Sequence, residues 1–332
     1  MKLLVTGGAG FVGSVTSWRL REAGHEVTLF DNLYRGYREQ AKSFPLLEGD
    51  VRDRAAVLAA LTKTRAEAVL HFAGLALVPE SMASPGEYYD VNVAGGLALL
   101  SACKEAGVRG IVFSSTCASY GIPKQVPIDE DQLQAPISPY GRSKLSFEWA
   151  LRDATAAGPQ AGAPLGAVAL RYFNASGAAP EIGLGEDHRP ETHLVPICLL
   201  AALGKMPCID VLGEDYPTPD GTCVRDYVHV VDLADAHVRA LSRLDPGSYH
   251  AYNLGTGTGT SVRQVIDTVR RVTGRPVPTR SAPRRPGDPP VLVASNARAA
   301  AELGWSPTRS GIDQVVEAAW KWRREHPEGY RA

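Results

Sequence analysis

Short apolar runs, each too brief for a helix, recur through the first half of the chain and alternate with longer stretches of helical periodicity. Lys2–Val5, Glu26–Phe30, Leu46–Glu48, Ala68–Phe72 and Gly110–Phe113 read as strands, with Phe11–Ala23, Ala55–Leu61 and Val93–Ala106 as the clearest helices between them. Each strand is apolar nearly throughout, as expected where both of its faces are buried. Strands alternating with helices imply right-handed βαβ units, hence an α/β fold with a doubly wound parallel sheet covered on both sides. The second half loses this regularity. Residues 155–166 (TAAGPQAGAPLG) read as a surface loop before a strand at Ala167–Tyr172, and 175–192 and 275–290 are rich in Gly, Pro and charge. Loops this long in a compact domain are usually functional. The pattern divides the chain into a domain at 1–175, with an apolar segment at 224–245 returning to it, and a smaller α/β lobe at 176–332.

Composition removes several function classes. The 332 residues carry 35 Lys+Arg against 36 Asp+Glu, a formal charge of −1, so there is no basic footprint for nucleic acid and no acidic tail. A hydrophobic fraction of 44% with 21% charged residues is that of an ordinary globular protein. Five cysteines (Cys103, Cys117, Cys198, Cys208, Cys223) form no CxxC pair, which argues against a zinc site and a disulfide framework and points to a reducing cytoplasm. None of the eight histidines falls in a pattern such as HExxH, so no metal is expected. No apolar run approaches the ~20 residues of a membrane span, and Met1–Val5 leads into glycines without a signal-peptide core.

The first strand runs into Thr6-Gly7-Gly8-Ala9-Gly10-Phe11-Val12-Gly13, where a helical pattern begins. Gly10 and its neighbours let the backbone approach a pyrophosphate, Gly13 lets the helix pack closely on the sheet, and the helix N-terminus presents N–H groups to the anion. Asp31 ends the second strand, 18 residues past Gly13. A carboxylate there accepts hydrogen bonds from an adenosine ribose and repels a 2′-phosphate, favouring NAD over NADP, although Arg35 is a nearby cation of the opposite preference. A glycine-rich turn that binds nothing is the bland alternative. The order strand, glycines, helix and acidic residue speaks against it.

Ser138-Pro139-Tyr140-Gly141-Arg142-Ser143-Lys144 reads as a helix start, with Ser138 the N-cap and Pro139 in the first turn. Tyr140 and Lys144, four apart, share a face. A phenol of ordinary pKa, about 10, is a poor base; lowering it by about three units needs roughly 4 kcal/mol. One positive charge at ~4 Å supplies about that at an effective dielectric of 20. Lys144 and the positive ring of an oxidised nicotinamide are the expected sources. An isolated YxxxK is usually a solvated helix face. Here Ser114-Ser115-Thr116 follow a strand, at the end of a parallel sheet where ligands bind, and the Thr116 hydroxyl can share a substrate oxygen with Tyr140 and relay its proton. For Ser114 and Ser115 the alternative is a loop cap.

The glycine motif, Asp31, the hydroxyls after the strand and YxxxK together resemble the extended short-chain dehydrogenase/reductase family. His71-Phe72-Ala73-Gly74, Tyr88–Val93, Leu170–Asn174, Tyr216–Thr218, Asp220–Thr222, Val224–Val230, Tyr252–Gly255 and the APRRPGD segment resemble its sugar-nucleotide epimerases, from Met1 to about Trp322. The resemblance implies a Rossmann-type domain holding NAD through Gly7, Gly10, Phe11, Val12, Gly13, Asp31, Asn32, Asp50, Val51, Phe72, Ala73, Gly74, Asn92, Ser114, Tyr140, Lys144 and Tyr172. It implies a UDP-hexose held by Thr116, Asn174, His193, Leu194, Leu212, Arg225, Tyr227, Arg285 and Asp288, with Arg225 and Arg285 on the diphosphate and Asp288 on the ribose. The implied reaction is 4-epimerisation of UDP-glucose or UDP-galactose in a cytoplasmic homodimer joined through helices near 93–106 and 140–154. Tyr140 takes the 4-hydroxyl proton, the C4 hydride passes to nicotinamide, and the 4-keto sugar turns over before the hydride returns. Such a reaction needs a firm hold on the unreacting UDP and a loose one on the hexose.

Some positions depart from the family pattern. Ala76 stands where members often have lysine, and His193 where some have asparagine, so His193 is either a diphosphate contact or structural. The gate that sizes the sugar falls at Val291 or Leu292, an intermediate residue that leaves UDP-N-acetylglucosamine open. Epimerases of UDP-glucuronate or pentoses share the same machinery. A dehydratase needs carboxylates after Thr116, where Cys117-Ala118 has none. A non-catalytic NAD sensor is expected to break the Tyr140/Lys144 pair, which is intact. Arg284 reads as surface.

Overall fold

The computed structural model describes residues 1–157, 164–285 and 287–330; residues 158–163 of the expected loop and Pro286 lie outside them. Seven parallel strands make the central sheet: β1 (Lys2–Thr6), β2 (Glu26–Asp31), β3 (Leu46–Glu48), β4 (Ala68–His71), β5 (Gly110–Thr116), β6 (Gly166–Tyr172) and β7 (Tyr249–Leu254). Their order is β7-β6-β5-β4-β1-β2-β3, every neighbouring pair parallel. The larger helices are α1 (Phe11–Glu22), α2 (Arg54–Thr64), α3 (Gly95–Glu105), α4 (Pro139–Ala156), α5 (Leu194–Ala202), α6 (Val230–Ala240), α7 (Val262–Thr273) and α8 (Ile312–Glu325). The fold is a Rossmann-type doubly wound α/β sheet.

The two-residue period of a strand explains why the strands lack polar positions. Leu3 and Val5 join Leu20 of α1 and Leu233 and Ala236 of α6 in one apolar layer. Leu4, between them, joins Val57 and Leu61 of α2, Leu99 of α3 and Phe147 and Leu151 of α4 in the other. Leu3, Val5 and Leu4 are at most 1% exposed, so truncating any of them to Ala costs about 2–5 kcal/mol. A third cluster, Val195 and Leu199 of α5, Val265 and Val269 of α7, and Val315 and Val316 of α8, packs these three helices together.

Three features differ from the pattern reading. β5 runs three residues further than expected, so Ser114, Ser115 and Thr116 belong to the strand rather than to a loop after it. The helix expected from Val93 starts at Gly95, after a wide π turn over Asp90–Ala94. The chain also re-enters the sheet beyond residue 245, because β7 pairs with β6 along its whole length. The strand order reverses between β1 and β4, and ligand crevices in such sheets open at the carboxyl ends of the strands flanking that point. Among the described residues no helix is long and apolar enough to cross a membrane.

Candidate active site

β1 ends at the switch point and turns sharply through Gly7, whose φ of +70° suits glycine. A Cβ on Gly7 would lie 2.4 Å from the Ala73 nitrogen, and one on Gly13 would lie 2.3 Å from the Gly7 carbonyl oxygen. Both glycines are therefore required by contact. Gly10 caps α1 without a side chain, leaving the first-turn N–H groups at Phe11, Val12 and Gly13 facing no capping oxygen. A cavity of about 240 Å³ opens over this turn. It gathers Gly7, Gly10, Phe11, Asp31, Asn32, Asp50, Val51, Phe72, Ala73, Gly74 and His193 from the sequence expectations, and adds Tyr34, Leu77, Asp187 and His188.

The acidic residues on this wall are held in place. Asp31 Oδ2 accepts the Ala9 N–H at 3.0 Å and Oδ1 the Leu33 N–H at 2.8 Å. Burial raises its carboxyl pKa, with these two N–H groups opposing the rise. Asn32 donates to Asp50 at 2.9 Å, and Arg52 bridges Asp50 and Asp90. Arg35, the residue that favoured a phosphate, is ion-paired with Glu80. Asn92 was expected at the cofactor; its Oδ1 accepts the Leu75 N–H at 2.8 Å, and its Nδ2 donates to Leu75 O and Ser143 Oγ. The amide is thus occupied in bracing the 72–77 loop, and the π turn is what aims it there.

Ser138 accepts the Gly141 N–H at 3.1 Å and starts α4 with Pro139 behind it, as its sequence implies. Tyr140 packs edge-on against Tyr88 at 6.3 Å. The alternation of β5 sends Ser115 to Glu148 and Ser114 to the Tyr172 hydroxyl. Thr116 Oγ1 accepts the Ala118 N–H at 3.1 Å. The expected lowering of the phenol by Lys144 is not met within the protein's own groups. Burial raises the Tyr140 phenol above its ordinary value, and the neighbouring Thr116 hydroxyl is the group that opposes this. The Lys144 ammonium instead donates to the Ser114 carbonyl at 3.1 Å, over the Phe113 ring, and burial lowers it to about 8.

The other expected substrate residues lie in the second half of the chain. Arg225 donates to Asp288 at 2.8 Å, so two residues expected on one nucleotide are paired with each other. Leu292 is the register partner of Arg225 and packs in a small apolar cluster with Tyr120, Phe173 and Cys117. Asn174 opens the short strand Asn174–Ser176 beside Tyr227–His229, Tyr227 is buried, Leu212 ends the strand Ile209–Leu212, Leu194 opens α5, and Arg285 is exposed. Arg284 pairs with Asp215 at the surface. These residues, like Tyr140, Lys144, Thr116, Ser114, Tyr172 and Asn92, do not line the cavity.

His193 lies within 2.7 Å of Glu186 and 3.1 Å of Glu191 through Nδ1. His188 faces the same two carboxylates. Burial opposes charge on both rings, yet the carboxylates outweigh it and push His188 up to about 9 and His193 up to about 10. Motif reading missed this cluster. The signal was the compact Glu-x-His-x-x-Glu-x-His of residues 186–193.

A family model described as the NAD dependent epimerase/dehydratase family matches residues 3–255. A UDP-glucose 4-epimerase of Lacticaseibacillus casei is 46% identical over 332 residues, 99% of each chain. Among solved structures, the Brucella ovis UDP-glucose 4-epimerase in complex with NAD superposes with a TM-score of 0.91 at 45% identity, covering 96% of this chain and 97% of that one. The Bifidobacterium longum UDP-glucose 4-epimerase in complex with NAD⁺ and UDP does so at 0.93 and 39% identity, covering 99% and 100%.

Proposed function

The chain belongs to the NAD dependent epimerase/dehydratase family, and from that premise we propose that it interconverts UDP-glucose and UDP-galactose by NAD-dependent 4-epimerisation. It is a sugar-nucleotide epimerase with NAD as its cofactor. The backbone fits the dinucleotide, since the Gly10 cap leaves the first-turn N–H groups of α1 without a side-chain partner beneath the cavity that Gly7 and Gly10 line. NAD⁺, when bound, supplies the hydride acceptor for C4 and a positive charge beside the phenol.

Tyr140 takes the proton of the sugar 4-hydroxyl and later returns it, and Thr116 relays it. Lys144, fixed on the Ser114 carbonyl, holds the nicotinamide ribose and favours the phenolate. Arg225 and Arg285 bind the diphosphate, as planar guanidinium suits it. Asp288 binds the uridine ribose, and Asn174 the sugar nucleotide. The observation that carries this reading is the meeting of Thr116 and Tyr140 at the carboxyl end of β5, with Lys144 anchored on the same strand. Cys117 and Ala118, following Thr116, offer no carboxylate for dehydration.

The test is Tyr140→Phe. It loses roughly 10²–10⁴-fold in kcat while UDP affinity, measured by calorimetry, stays unchanged. Turnover at the wild-type rate would overturn the assignment of the base.

A homodimer through α3 and α4 belongs to the same reading. Leu97 and Trp149, on those helices, are 46% and 55% exposed. Trp149→Glu should convert a dimer into a monomer on analytical ultracentrifugation. The five cysteines, all free, support a reducing cytoplasmic setting.

A further inference from the structure

We propose that Glu186, His188, Glu191 and His193 form a site for one first-row divalent cation of the zinc class. The four residues lie between the short strand Leu184–Gly185 and α5, and His188 and His193 among them line the cavity. One ligand atom from each lies within 4.8 Å of all the others. The His–Glu separations are 2.7 and 3.1 Å from His193 and 3.3 and 3.6 Å from His188. A tetrahedral ion with bonds of about 2.0–2.1 Å separates its ligands by about 3.3 Å. The four His–Glu separations bracket that spacing, and the remaining pairs, within 4.8 Å, would close toward it around an ion.

Charge gives a second reason. The Glu186 and Glu191 side chains are 5% and 6% exposed, and among the described residues no Lys or Arg is ion-paired with either. Buried carboxylates need a counter-charge. One divalent cation replaces two imidazolium protons charge for charge.

The pairing leaves two atoms of the cluster poorly satisfied. Glu191 Oε2 and His188 Nδ1 are buried and make no well-formed hydrogen bond, with His188 Nδ1 3.6 Å from that oxygen and 3.3 Å from Glu186 Oε1. The opposite oxygen of Glu191 is fixed, accepting the Thr192 and His193 N–H groups at 2.8 and 2.9 Å. That orients the free oxygen inward, as a supporting shell orients a metal-binding carboxylate. Two imidazoles with two carboxylates select an ion of zinc character over calcium or magnesium, which prefer all-oxygen cages. Four protein ligands make a closed site, whose effect is to pin the 186–193 segment that carries His188 and His193 to the cavity wall.

The experiment uses the full chain, stripped with chelator, dialysed and titrated with Co²⁺. The expected result is one Co²⁺ per chain with the strong visible absorption of tetrahedral coordination, displaced by one equivalent of Zn²⁺ and unaffected by millimolar Mg²⁺. His188→Ala and Glu191→Gln should each weaken Co²⁺ binding by about 100-fold or more. Circular dichroism establishes that each variant is folded. Sub-stoichiometric uptake by the wild-type chain, octahedral absorption, displacement by Mg²⁺, or undiminished binding in a folded variant would each overturn the proposal. If neither variant folds, the wild-type stoichiometry and spectrum decide it.

Discussion

The two walls of the cleft are made of different material. At the ends of β1 and β4 the wall is backbone: Gly7 against Ala73, Gly13 against Gly7, with carboxylates such as Asp31 already held by N–H groups. Where residues 186–193 border it the wall is side chain, His188 and His193 being paired with two glutamates, and beyond the cavity Arg225 is likewise paired with Asp288. A backbone wall discriminates by sterics and tolerates no added atom. An ionic wall must exchange partners as a ligand enters, so its affinity is a difference between two ion pairs and grades with each of them.

The sharpest way to break this contrast is Gly13→Ala. The added methyl meets the Gly7 carbonyl oxygen at 2.3 Å, and overpacking of about 3 kcal/mol lowers NAD affinity about 100-fold. Wild-type NAD retention after purification would show that the turn yields. Lys144 comes next. Its buried ammonium, lowered to about 8 from 10.5, costs on the order of 3 kcal/mol of stability at neutral pH. The unfolded chain binds the extra proton between pH 8 and 10.5, so folded stability rises across that window. Lys144→Met should therefore melt higher than wild type at pH 7, with the gap closing by pH 10, while wild-type turnover falls as the ammonium deprotonates above about 8. A gap that does not change with pH would mean that the ammonium is not destabilised.

Arg225→Ala sharpens the ionic side. It should raise KM for the UDP-sugar roughly 30-fold, about 2 kcal/mol, because it removes the proposed diphosphate contact and also leaves the Asp288 carboxylate without its ion-pair partner. Adding Asp288→Asn should recover part of the loss, and a purely additive double variant would refute partner exchange. The smallest effect is at Leu292. Leu292→Ala should raise kcat/KM for UDP-N-acetylglucosamine about ten-fold and leave UDP-glucose within a few-fold, as read from a substrate panel.

The legibility of the two walls in the sequence follows the same divide. The glycine turn, Asp31 and the start of α4 are local: strand, Gly7, Gly13, Ser138 and Pro139 act within a few residues of one another, and their spacing carries the geometry. The pairing of Arg225 with Asp288 spans 63 residues, and nothing near either predicts it. The direction of the Lys144 side chain was equally hidden, because helical spacing puts it on the face of Tyr140 but the Ser114 carbonyl decides where its nitrogen rests. Asn92 needed the π turn, which no periodicity reports. The His/Glu segment was compact enough to be read, but it matches no familiar metal spacing.

The placement of β7 sets a limit on dissecting this enzyme. Strand Tyr249–Leu254 seals the flank of β6 with side chains such as Tyr252 and Leu254 that are fully buried. A fragment ending near residue 175 would bare a long row of unsatisfied amides and carbonyls on β6, a template for pairing with other copies. The dinucleotide half is therefore not a portable module, and truncation at the apparent lobe boundary leads to aggregation rather than to a smaller binding protein.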